Sequence, residues 1–109
     1  MEPADDLVER VRALLNDVPH VEERKMFGSI GFTVDGKLLC GVGDHADHQM
    51  MVGVGTDAYE DALKQDGTAP ATMRGQARRG WVFLDHSAVN TDDKLRYWIN
   101  LALTHNKEL

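Results

Sequence analysis

The sequence predicts an α+β fold, two-layered and built on a mostly antiparallel sheet, and three observations carry that expectation. Apolar residues recur at three- and four-residue steps near both ends of the chain. Between them, apolar and polar residues alternate in short runs broken by Asp-Gly and other turn signals. The strand-like runs come consecutively while the helical ones stand apart, which is the arrangement of helices layered on an antiparallel sheet. With 109 residues the chain can bury one hydrophobic core and falls short of two, so a single domain over 1–109 is expected. The predicted order is α-β-β-β-β-α-β(-β)-α.

Ala4, Leu7, Val8, Val11, Leu14, Leu15 and Val18 form one stripe of a helix over roughly Asp5 to Asp17. Asp5 and Asp6 suit its positive end, and Pro19 stops it by restricting Val18. Val21 to Phe27 reads as a strand, and Ile30, Phe32 and Val34 alternate with Gly31, Thr33 and Asp35 in the next. Asp35-Gly36 is a hairpin signal, because a type I′ turn needs positive φ at both central residues; Lys37 to Val42 is therefore expected to return antiparallel. After the polar turn Gly43 to His48, a further arm runs from Gln49 to Val54.

Gly55-Thr56-Asp57 is expected to cap a second helix over Asp57 to Gln65, stopped by Asp66-Gly67. Thr68 to Arg79 holds Pro70 and Gly75 and reads as extended but irregular, with a short strand at Ala71 to Arg74. Gly80 to Leu84 is aromatic and apolar enough for a buried strand. Thr91 then caps a last helix, with Asp92 and Asp93 in its first turn and Leu95, Trp98, Ile99, Ala102 and Leu103 on one face.

Composition narrows the function classes. Hydrophobic residues make up 42% and charged residues 28%, which are globular values. The net charge of −6 opposes sequence-independent binding to nucleic acid, which depends on Lys and Arg. Cys40 is the single cysteine, so no internal disulfide, cysteine zinc site or CxxC motif is available. The N-terminus lacks a basic and then apolar leader, and no apolar run is long enough to span a membrane, so a soluble cytoplasmic protein is expected.

Candidate sites are few. Arg24 and Lys25, with Arg74, Arg78, Arg79 and Trp81, make one cationic, partly aromatic patch for an anion or a partner if the late segment pairs near the first strand; the alternative is charge guarding strand edges. Asp44, His45, Asp47 and His48 offer metal-ligand atoms, with His45 and His48 as the candidate pair, although a short turn seldom converges four ligands. Cys40, between Leu39 and Gly41-Val42, reads as a small buried hydrophobe rather than a redox sensor. Gly28 and Gly31 lack the spacing of a phosphate loop and read as a bulge or close strand approach. Ser29, Ser87 and the histidines form no recognisable triad, and Met50, Met51 and Met73 read as core or interface filler.

Arg24-Lys25-Met26-Phe27-Gly28 with Gly31-Phe32, Asp35-Gly36-Lys37, Tyr59-Glu60-Asp61-Ala62-Leu63, Gly80-Trp81-Val82, and Thr91-Asp92 with Leu95 and Trp98 together resemble the N-terminal domain of the TfoX/Sxy competence regulators over about residues 7 to 104. The resemblance implies a two-layer α+β domain and no established enzyme activity; neither an enzyme nor a cofactor is expected. In the full-length regulators a C-terminal helical domain follows, and the protein acts with a cyclic-AMP receptor protein to turn on competence genes; this chain is expected to be the domain alone. The expected function is a non-catalytic regulatory module that binds a protein partner such as a transcription regulator, with room for a homodimer. The alternative is a small-ligand or metal-binding domain using the cationic face or the His45/His48 loop.

Overall fold

The first amphipathic stripe folds as helix α1 (Pro3–Leu14), and Leu7, Val8, Val11 and the following Leu15 are buried. In this computed structural model the described residues are 3–26, 29–45, 48–73 and 75–107. The helix ends three residues before the expected Asp17. A turn closed by Val18 N–H on Leu15 O (3.0 Å) then leads through Pro19, which disfavours helical geometry at Val18.

Strands β1 (Val21–Met26), β2 (Ser29–Val34), β3 (Lys37–His45) and β4 (His48–Gly53) follow as the expected meander. The β2–β3 turn has positive φ at both Asp35 (54°) and Gly36 (79°), as a type I′ turn requires. Helix α2 (Thr56–Leu63), strands β5 (Thr68–Met73) and β6 (Gln76–Leu84), and helices α3 (His86–Val89) and α4 (Asp92–Lys107) complete the chain. All neighbouring strands pair antiparallel in one six-stranded sheet of order β1-β2-β3-β4-β6-β5.

Two local expectations are corrected. The extended stretch after Thr68 is irregular as expected, its register shifting between Pro70 and Thr72, but it holds more strand than expected: β5 and an early start of β6 pair antiparallel down to Met73 and Gln76. Pro70 is accommodated because β5 is an edge strand, where a missing N–H removes no bond to a further neighbour. The short helix α3 lies between the expected strand and the Thr91 cap, where no element is expected, and Asp85 caps it by accepting from Ser87 N–H (2.9 Å).

One face of the sheet, bearing Phe32, Val34, Cys40, Val42, Met50, Val52, Val82 and Leu84, packs against all four helices to make the main core. Leu95, Trp98, Ile99 and Ala102 from α4 close it, and the Trp98 indole N–H donates to Ala88 O (3.2 Å). Charged contacts fasten the helical layer. Arg12 grips Glu23 of β1 through two bonds of 2.7 and 2.8 Å and also meets Glu9. The Lys37 ammonium donates to Asn106 O (3.2 Å), and Asn106 donates to Val34 O (3.4 Å), joining the end of α4 to the β2–β3 turn. The opposite sheet face carries a smaller apolar cluster, Met51, Ala71 and Phe83 with Leu38, Ala69 and Trp81.

Candidate functional site

Strand order disperses the cationic residues that the sequence grouped. β1 and β6 are separated by β2, β3 and β4, so Arg24 and Lys25 lie roughly 19 Å from the arginines of β6 at the usual interstrand spacing. Arg24 pairs with Glu22 at 3.7 Å, and Lys25, one residue on, points to the other side of the strand beside Ile30. Arg79 reaches Glu60 of α2 at 3.9 Å. Arg74 lies outside the described residues. Of the five described residues, the structure brings two onto one cavity: Arg78 and Trp81.

Their meeting is a backbone effect. Simple alternation along β6 would place Arg79, not Arg78, on the face of Trp81. Gly80 has φ +94°, and between the pairs Thr72↔Ala77 and Pro70↔Val82 the four residues 78–81 of β6 lie opposite Ala71 alone, so β6 bulges there by an odd number of residues and the alternation shifts by one. Arg78 and Trp81 then line a cavity of about 260 Å³ with Leu38 and Met51. The indole lies flat against Gly53, its partner across the ladder: a Cβ at Gly53 would come within 2.8 Å of Trp81 Cη2. Arg78 has no ion pair or hydrogen bond, and the Trp81 indole N–H no acceptor, among the described residues.

A second cleft, of about 310 Å³, lies where α2 begins, lined by Val54 to Ala58 and by Leu101, Thr104 and His105 of α4. The expected cap is corrected here: the residue before the helix is Gly55, which has no side chain to cap it. A third, of about 350 Å³, runs between the end of α2 and α4, where Gln65 donates to the Tyr97 hydroxyl (2.9 Å). No sequence signal marked either cleft, because each is made by α2, or the turn after it, meeting residues roughly 20 to 50 positions later.

The remaining candidates are placed as follows. His45 and His48 are opposite each other where β3 and β4 meet; their side chains, that of Asp44, and Asp47 altogether lie outside the described residues, as does Gly28. Among the described residues no group of three or more His, Cys, Asp or Glu converges on a metal position. Cys40 is fully buried, and desolvation pushes its thiol up to about 12, so it carries no thiolate at neutral pH. Gly31 lies mid-strand opposite Arg24 and Gly41, within the ladder rather than in a loop. Ser29 opens β2, and the Ser87 hydroxyl donates to the Asp85 carboxylate (2.6 Å) within the α3 cap. Met50 fills the main core and Met51 the opposite face; the Met73 side chain is outside the described residues.

No curated protein matches the chain. The family model of the TfoX N-terminal domain matches residues 13–106, from the last turn of α1 to the end of α4, and so takes in the whole sheet. The Asp35-Gly36 turn, the Tyr59 helix, the Gly80-Trp81 bulge and the Thr91-capped helix all fall inside that match. This chain belongs to the TfoX N-terminal domain family.

Proposed function

We propose that this domain is a non-catalytic regulatory module of the cytoplasm that works by contact with a protein partner, a transcription regulator being the class the family resemblance suggests. The observation that carries the reading is the family match over residues 13–106. The net charge of −6 supports a protein rather than nucleic acid as the partner. No helix among the described residues is long and apolar enough to cross a membrane, which agrees with a partner met in solution. Capture of the tagged full chain from its own cells, with quantitative identification of what co-purifies, tests the reading. A stoichiometric regulatory protein is expected; recovery of no partner at native abundance, with the chain behaving as an inert monomer, would overturn it.

A small-ligand role is the second reading, and the Arg78–Trp81 cavity is the observation that favours it.

A further inference from the structure

The outer sheet face holds a combination that contact with a protein does not require. Leu38, Met51 and the Trp81 ring give the cavity of about 260 Å³ three apolar walls, while Arg78 supplies a cation at the same place. Every other arginine on β1 and β6 among the described residues has a carboxylate partner, Arg24 with Glu22 and Arg79 with Glu60, whereas Arg78 has none. A guanidinium presents parallel N–H groups that match a carboxylate fork, and an indole face beside it favours flat apolar groups. The space is a little below the roughly 300–1,000 Å³ of pockets that hold drug-sized ligands, which limits the occupant to about ten non-hydrogen atoms. A single cation over apolar walls suits one negative charge on an apolar body, not a polyphosphate.

We propose that the cavity between Leu38, Met51, Arg78 and Trp81 is a binding site for a small amphipathic carboxylate, an arylalkanoate or short alkanoate, with its carboxylate on Arg78 and its apolar part against Trp81 and Met51. The site is independent of the partner-binding reading and survives its failure. Trp81 is held in place by Gly53, against whose backbone the ring rests, and by the Gly80 bulge that puts Arg78 beside it. Gly53 is thus a positioning residue for the site, because an added methyl group there must push the indole out of line.

The test uses the ¹⁵N-labelled full chain titrated with 3-phenylpropionate, with its neutral amide, and with acetate. The Trp81 indole N–H resonance is expected to move saturably with 3-phenylpropionate, at least about tenfold more weakly with the amide, and not saturably with acetate. The Trp98 indole N–H, buried and bonded to Ala88, serves as the internal reference and stays in place. R78Q, at an exposed position, should weaken the acid by about tenfold and leave the amide unchanged. G53A should weaken both ligands alike. Equal affinity for acid and amide, indifference to R78Q, or no saturable shift of Trp81 at millimolar ligand would each overturn the proposal.

Discussion

Thr33 is buried on β2, and its hydroxyl has no hydrogen-bond partner among the described residues. An orphan buried hydroxyl costs free energy that an apolar group of similar shape avoids. T33V is therefore expected to raise stability by about 1 kcal/mol, read as a higher denaturant midpoint with an unchanged slope; a lower midpoint would show that the hydroxyl is satisfied. Cys40 makes the complementary case. With its thiol pushed up to about 12 by burial, it should resist a thiol reagent in the folded protein at neutral pH and react fully on unfolding. That residue was legible from its apolar neighbours, whereas Thr33 was not, since an alternating strand reads as having a polar face whether or not something covers it.

Among the elements, α1 is joined to β1 by the Arg12–Glu23 contact, which holds the Glu23 carboxyl below its ordinary value of 4.5 chiefly through the hydrogen bonds from Arg12, against a smaller desolvation effect. A carboxyl depressed in the folded state stabilises above its unfolded pKa and loses that contribution as pH falls through the folded one. The stability difference between wild type and E23Q should thus be constant near neutrality and vanish as pH drops below 4.5 and onward through the depressed value; denaturant melts across pH 7 to 3 check this. The end of β6 gives a second case. Asp85 accepts from both the backbone and the hydroxyl of Ser87, so D85A is expected to cost about 1 kcal/mol, as loss of a helix cap does. In contrast, the Thr91 cap of α4 was readable from sequence, and Lys94 N–H does donate to its hydroxyl (3.2 Å). Asp85 escaped notice because α3 spans four residues, too few for any periodicity to register.

At the scale of the molecule, stability is concentrated where α4 lies on the sheet. Leu95 and Ile99 are almost fully buried there, and L95A should cost about 2–5 kcal/mol by cavity formation, measured by chemical denaturation. Most of the helices and the four-strand meander were legible, because each is written in contacts between residues a few positions apart: the three-and-four stripe of α1 and α4, the alternation of β2, the Asp35-Gly36 turn. The same locality made the single cationic patch look plausible, since Arg24, Lys25, Arg78 and Arg79 are alike in type and nothing in their spacing says how far apart the sheet will set them.

Local chemistry alone thus dictated the α+β class and the helix that closes the core, for these depend on periodicity and on turns that one or two residues specify. Only folding decided that β6 inserts between β4 and β5, leaving Arg24 at the far edge, and that the Gly80 bulge turns Arg78 rather than Arg79 toward Trp81. Both outcomes follow from pairing between strands distant in sequence, where the ladder partner and the register, rather than the residue's own neighbours, choose the face on which a side chain emerges.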